Sequence, residues 1–460
     1  MGEAARRSGR ALVVLLAAGL ACSQEMASSP SSPDVLLITV DTLRADRLGV
    51  YGFALGASPN IDRLAAGGVV FERAVAAASS TAPSHASIMT SRYTRGHSVG
   101  HENGRTQLEG LVTLAELFRE AGYHTAAFVG NVVLRRRTGF DRGFEVYDDD
   151  LPTPEPGRPE IFERLAEQTT ERALAWLASA RDAPVLLWVH YQDPHGPYTP
   201  PGRFRGSLPL VARTGEEPLP VLEELIGRDG IPSYQALPGL RLPSVYASRY
   251  AEEIAYADHF IGKLVEAFEA GSERGAVTLL TADHGESLGE EGRYFLHGTS
   301  TTPDQAHVPL ILRAPELDPG RHAGIVHHVD LLPTLLELAG LGIPEHLDGV
   351  PLGPVLRGSD LLPDRIVFCD DGSRLSAYAG QGFTRVSGVA GAWEGEAASA
   401  HPRWAAYRWN ADGSWQPADE GELPVDRIRS YYEVAVPMVD AQAPGPGLRR
   451  MLRSLGYTDR

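Results

Sequence analysis

Acidic and imidazole side chains close three apolar runs in this chain. Asp41 ends the first, His190 and Asp193 follow the second, and Asp283-His284-Gly285 follow the third. Carboxylate oxygen combined with imidazole nitrogen suits a divalent cation such as Zn²⁺, Mn²⁺, Mg²⁺ or Ca²⁺. Each residue also has a plainer reading, because an Asp at a strand end is often a helix N-cap or a turn former. Taken singly, each is more often the plainer of the two, and their recurrence at the same point of successive runs is the argument for a metal.

The elements that must position these groups alternate. Val35–Val40, His124–Val129, Pro184–Val189 and Ala276–Thr281 are continuous apolar stretches of the kind buried in a parallel sheet. Amphipathic segments between them predict helices over Leu111–Ala121, Ile161–Ala180 and Val245–Ala270. Strands alternating with helices give an α/β fold: a doubly wound, mostly parallel sheet with helices on both faces. Ligands of such sheets gather at the carboxyl ends of the strands, where the acidic groups stand. The Pro-, Gly- and Arg-rich stretch from Pro197 to Pro243 interrupts this pattern as an excursion over the mouth of the site. Beyond about residue 358 the apolar periodicity weakens, and Trp393, Trp404, Trp409 and Trp415 predict a small C-terminal α+β subdomain over 358–460.

With 460 residues, 43% hydrophobic and 22% charged, the chain has the composition of a globular protein. A net charge of −17 argues against a nucleic-acid partner, which needs a basic face. The amino end carries Arg6, Arg7 and Arg10, an apolar run from Ala11 to Ala21, and then Cys22. That pattern reads as a signal peptide of lipoprotein type over 1–22, with a Ser/Pro-rich tether over 23–33. Lipidation of Cys22 would anchor the protein to a membrane of the bacterial cell envelope, facing the periplasm or the outer surface. Simple secretion with an incidental cysteine is the alternative. With Cys22 acylated, Cys369 has no intrachain partner.

Longer stretches carry a family signature. Asp34–Gly52 (DVLLITVDTLRADRLGVYG), Ser58–Phe71, Thr81–Thr90 (TAPSHASIMT), Pro194–Pro200 (PHGPYTP), Thr281–Gly289 (TADHGESLG), His307–Pro315 and His327–Gly340 follow one another in order. Together they resemble the sulfatase family of the alkaline phosphatase superfamily, with a catalytic domain over 34–357. The resemblance implies one divalent metal ion held by Asp41, Thr81, Asp283 and His284, with Thr81 in the register of the nucleophile. It also implies an anionic ester substrate, a sulfate or phosphate ester of a glycan or glycolipid. A cation lowers the pKa of a hydroxyl and polarises the ester, which is how an alcohol attacks at neutral pH. A helix beginning at this block would add its N-terminus to anion binding.

The departures are as informative. Where the family has a Cys or Ser oxidised to formylglycine and an Arg four positions on, this chain has Thr81 and His85. A secondary alcohol yields no aldehyde, so the standard sulfatase nucleophile is unavailable. Asn131 and His297 stand near the places of the family's lysines, and the chain's single lysine, Lys263, falls on a predicted helix. The threonine resembles phosphodiesterases and transferases of the superfamily. His195 and His297 are the candidates for leaving-group protonation and oxyanion contact, with His190 a partner that orients one of them. Hydrolysis through a covalent Thr81 intermediate is the leading expectation. The alternatives are a transferase that passes a phospho group to an envelope glycan or lipid, and an inactive glycan-binding protein.

Overall fold

The computed structural model describes residues 32–418 except 98, 101–107, 109, 157, 180–182, 211–214, 225–226, 359–361, 363–364, 373, 388–402 and 411–412, and also Tyr431. The leader, Cys22, most of the tether and Trp393 lie outside the described residues.

Eight strands form the central sheet: β1 Asp34–Val40, β2 Val69–Val75, β3 His124–Val129, β4 Val146–Asp148, β5 Val185–Tyr191, β6 Ala276–Ala282, β7 His307–Arg313 and β8 Gly320–His327. Their order across the sheet is β8-β2-β7-β6-β1-β5-β3-β4. Only β7 runs antiparallel to its neighbours. Every residue of β1 and β5 is buried. Central strands covered on both faces need unbroken apolar sequence, which is why these two read so plainly.

Six helices bear on the site or its support: α1 Pro59–Ala66, α2 Thr81–Thr90, α3 Leu114–Glu120, α4 Ala166–Leu177, α5 Pro243–Ala270 and α6 Leu331–Leu338. They fall into two packed groups, α1 and α4 against α5, and α3 and α6 against α2. Helix α3 starts later than its apolar pattern suggests. Thr113 caps it by accepting from the Glu116 amide at 3.2 Å while Glu116 returns to the Thr113 amide at 2.9 Å.

The helix expected over Ile161–Ala180 is shorter, and its first part is a strand. Arg158–Glu163 pairs antiparallel with Thr153–Glu155, and α4 begins only at Ala166. The break is held by Arg164, fully buried, whose guanidinium donates to Asp148 Oδ1 at 2.6 Å and Val129 O at 3.0 Å. Satisfying that buried cation from β3 and β4 takes precedence over continuing a helix.

After α6 the chain forms an antiparallel meander of five strands, β9 Val367–Asp370, β10 Leu375–Ala379, β11 Gly382–Ser387, β12 Arg403–Trp409 and β13 Trp415–Pro417. Val367, Cys369, Tyr378, Phe383 and Trp409 pack against Val75, Ala306 and Ile325 in a second apolar cluster. Cys369 is buried there with a free thiol.

Candidate active site

Strand register brings the acidic groups together. Val40 pairs with Tyr191 on one side and with Ala282 on the other. The next residues, Asp41, Gln192 and Asp283, therefore leave the sheet side by side at its carboxyl edge. Thr81 enters from α2, where Ser80 holds the N-cap position and Thr81 is the first helical residue. Thr81 is thus placed in the first turn without being the cap. Pro83 in the same turn costs the helix nothing, since its missing N–H has no intrahelical acceptor there.

Asp41, Thr81, Asp283 and His284 are all fully buried. His284 Nε2 lies 3.7 Å from Asp41 Oδ1, 3.5 Å from Asp283 Oδ2 and 3.3 Å from Thr81 Oγ1. His284 Nδ1 donates to Gly285 O at 2.9 Å, which fixes the tautomer and turns the Nε2 lone pair toward the carboxylates. Asp41 Oδ1 and Asp283 Oδ2 have no hydrogen-bond partner among the described residues. Burial and the nearby Asp283 push the Asp41 carboxyl well above its ordinary pKa, and burial raises Asp283 as well. Two unpartnered carboxylate oxygens and an imidazole lone pair converging in a dry site repel one another, and a cation is what relieves them. The donor set of Asp41, Asp283 and His284, with Thr81 beside it, fits a divalent metal ion.

A further support went unrecognised in the sequence. Asn131 Nδ2 donates to Asp41 Oδ2 at 2.7 Å, while its Oδ1 accepts from the Val133 amide at 2.9 Å. An Asn in a Gly-Asn-Val-Val segment carries no local sign of that contact, which depends on β3 lying two strands from β1.

His85 and His190 also approach Asp283, and the three could by position hold an ion. Hydrogen bonding assigns His85 another task. Trp188 Nε1 donates to Thr39 Oγ1 at 3.0 Å, Thr39 Oγ1 donates to His85 Nε2 at 3.0 Å, and His85 Nδ1 donates to Thr81 O at 2.8 Å. Both imidazole nitrogens are used, so His85 braces the backbone of Thr81. His190 lies 3.6 Å from Asp41 Oδ2 and hydrogen-bonds neither His195 nor His297, contrary to its expected orienting role.

His195 and His297 stand beside this group, their rings 5.0 Å apart, with His297 4.7 Å from the His284 ring. His195 Nδ1 donates to Gly196 O at 2.8 Å, leaving Nε2 as an acceptor. His297 Nδ1 lies 3.3 Å from Glu286 Oε1. Burial lowers His297 to about 4 and raises Glu286 to about 8. Below pH 8 the Glu286 hydroxyl can therefore donate to Nδ1, which puts the His297 proton on Nε2. Glu286 was read only as part of its block, because nothing local distinguishes it from a surface glutamate.

Arg95, Arg92, Lys263 and Asp258 lie outside this group. Arg95 ion-pairs with Asp370 at 2.8 Å, and Arg92 with Asp348 at 3.3 Å. Lys263 is exposed on α5. Asp258 accepts from the Asn60 and Ile61 amides at the start of α1.

The sulfatase family model matches residues 33–341, which takes in β1 through α6 and every donor described above. The chain belongs to the sulfatase family. It is a hydrolase of sulfuric or phosphoric esters, in a family whose members use a metal ion. Among its relatives is a Δ4,5-hexuronate-2-O-sulfatase of Bacteroides thetaiotaomicron, 27% identical over 365 residues, covering 74% of this chain and 75% of that one. In structure this sulfatase-family chain is similar to a phosphonate monoester hydrolase of Agrobacterium radiobacter (TM-score 0.63, 19% identity, covering 87% of this chain and 94% of the other). It is also similar to a protein solved in complex with its substrate D-glucosamine-2-N,6-O-disulfate (TM-score 0.63, 19% identity, covering 83% and 92%).

Proposed function

We propose that this protein hydrolyses an anionic phosphate, phosphonate or sulfate ester of a glycan or glycolipid at the cell envelope, with the unmodified Thr81 hydroxyl as nucleophile. The observation that carries this reading is Thr81 Oγ1 at 3.3 Å from His284 Nε2, in the first turn of α2 and beside Asp41 and Asp283. A divalent cation held by Asp41, Thr81, Asp283 and His284 would favour the alkoxide of Thr81 and polarise the ester. The α2 amides favour the incoming anion at the same point. His85 holds the Thr81 carbonyl, so the hydroxyl is presented in one orientation.

Thr81 Oγ attacks phosphorus or sulfur, and the bond to the leaving-group oxygen breaks. His297 Nε2–H is placed to give that oxygen its proton while Glu286 passes its own to Nδ1, so that the imidazole stays neutral. His195 Nε2, an acceptor, then takes a proton from water. The water oxygen attacks the threonyl ester, Thr81 Oγ leaves as the alkoxide from which the cycle began, and the proton taken by His195 returns to the neighbouring His297–Glu286 pair. A displacement that leaves a threonyl ester must be undone by a second attack at the same centre. Attack at phosphorus suits that requirement better than attack at sulfur, so phosphate or phosphonate diesters should outrun aryl sulfates.

The test is a screen of metal-reconstituted protein against aryl sulfate, phosphate monoester, phosphodiester and phosphonate ester substrates, followed by two variants. Thr81→Ala should remove nearly all turnover with metal content and fold intact, and Thr81→Ser should keep part of it. Near-wild-type activity in Thr81→Ala would mean that water attacks directly and the covalent step is wrong.

A further inference from the structure

The donors at the carboxyl edge of the sheet are limited in number as well as in kind. Each of the two carboxylates reaches the site with one oxygen. Asp41 Oδ2 accepts from Asn131 Nδ2 at 2.7 Å, and His190 Nε2 lies 3.6 Å from the same oxygen. Asp283 Oδ1 accepts from the His284 amide at 2.8 Å and from the Thr42 amide at 3.2 Å. Thr42 presents that amide at φ 55°, a left-handed backbone conformation uncommon for a β-branched residue. Its carbonyl accepts from the Tyr250 hydroxyl at 2.6 Å, which fastens the strained turn to α5. Asp41 Oδ1 and Asp283 Oδ2 remain open, neither with a hydrogen-bond partner among the described residues.

The third donor is a nitrogen. His284 Nδ1 is committed to Gly285 O at 2.9 Å, so Nε2 faces the carboxylates, 3.7 Å from Asp41 Oδ1 and 3.5 Å from Asp283 Oδ2. Thr81 Oγ1, 3.3 Å from the same nitrogen, is the fourth donor. The neighbouring imidazoles do not enlarge the set. His85 uses Nδ1 on Thr81 O and Nε2 on Thr39 Oγ1, and His190 approaches Asp41 at the oxygen already taken. Thr42 Oγ1, buried and without a partner, would bring the count to five. Cations differ in what they ask of such a set. Ca²⁺ takes about six to eight oxygens, with bidentate carboxylates among them, and Mg²⁺ an octahedron of oxygens. Zn²⁺ accepts about four donors of mixed nitrogen and oxygen type, and its catalytic sites combine about three protein ligands with an open position. Imidazole nitrogen favours the transition series in general.

We propose that this site selects a transition-metal dication, Zn²⁺ foremost, over Ca²⁺ and Mg²⁺, because Asn131, Thr42 and the His284 amide close the second oxygen of each carboxylate. This deepens the metal-dependent reading above and rests on the same donor set. Asn131 and Thr42 are positioning residues here: they hold the ligands to one oxygen each and do not touch the ion. The competing explanation is that the imidazole alone sets the preference, with the closed oxygens of no consequence.

Competition of the metal-free protein against a fluorescent chelator gives its affinity for Zn²⁺, Mn²⁺, Mg²⁺ and Ca²⁺ without reference to turnover. One Zn²⁺ should bind per chain, at least about 100-fold more tightly than Ca²⁺ or Mg²⁺, with Mn²⁺ between. Asn131→Ala frees Asp41 Oδ2 for a larger ion. It should weaken Zn²⁺ about 10- to 100-fold and leave Ca²⁺ unchanged or tighter, so the ratio narrows by about tenfold or more. His284→Asn, which exchanges the nitrogen for a carboxamide oxygen, should narrow it as well. Ca²⁺ or Mg²⁺ binding as tightly as Zn²⁺ in the wild type overturns the selectivity, whether or not the variants fold. An unchanged ratio in Asn131→Ala overturns the role of the closed oxygen. Two Zn²⁺ per chain would mean that His85 and His190 hold a second ion with Asp283, and the donor count falls with it. A chain that binds none of the four ions overturns this inference and the metal-assisted step together. The expected order of affinities in a protein that cleaves none of the esters above would sink the hydrolase reading and leave the selectivity standing.

Discussion

Replacing Asn131 with Ala tests whether the metal donors are held in place by what surrounds them. The side chain is 5% exposed and gives Asp41 Oδ2 its hydrogen bond at 2.7 Å. A hydrogen bond to a charged group contributes about 1.5–3 kcal/mol. At about 1.4 kcal/mol per factor of ten, its loss should weaken metal binding about 10- to 100-fold, the range found when an outer partner of a ligand is removed. Asn131 also caps the short turn Val132–Leu134 through the Val133 amide at 2.9 Å. Losing that cap costs about 1 kcal/mol, or about 1 °C in a chain of this size. The two effects are read separately, Mn²⁺ affinity by competition against a fluorescent chelator and stability by thermal unfolding. A protein whose melting point falls by that amount but whose Mn²⁺ affinity changes less than threefold would show that Asn131 is a turn former and that Asp41 is positioned without it.

Three further expectations use other parts of the molecule. Chelation should lower the melting temperature, because metal at a hundred times its dissociation constant adds about 2.7 kcal/mol to the folded state. A chelator-insensitive melting curve would contradict a metal at Asp41, Asp283 and His284. Burial raises Asp193 to about 7, against about 3.9 in the unfolded chain. The folded state then holds the extra proton between those values, so the contribution to stability is complete below about pH 4 and is lost as pH rises to about 7. Asp193→Asn should flatten that decline in melting scans from pH 4.5 to 8, and an unchanged slope would place the titration elsewhere. Cys22→Ser should release the protein from the detergent phase on partitioning. Unchanged partitioning would favour simple secretion over a lipid anchor.

What the linear sequence determined is the part governed by local regularities. Strands β1, β3, β5 and β6 were legible because buried parallel strands need unbroken apolar residues, and Asp41, Asp283 and His284 were legible as the polar residues that end them. The threonine at the head of TAPSHASIMT was visible as a departure from the family's nucleophile. Only the tertiary structure decided which partners these groups meet. Asn131 reaches Asp41 across two strands of the sheet, and the Trp188–Thr39–His85 chain joins β5, β1 and α2. The strand Arg158–Glu163 was hidden because Ile161–Ala180 reads as one amphipathic helix, whereas Arg164, buried against β3 and β4, holds the break that follows the strand. Hydrophobic periodicity reports which face of an element is covered. Hydrogen bonds between groups on different elements depend on strand order and on how loops close over the sheet, which periodicity does not encode.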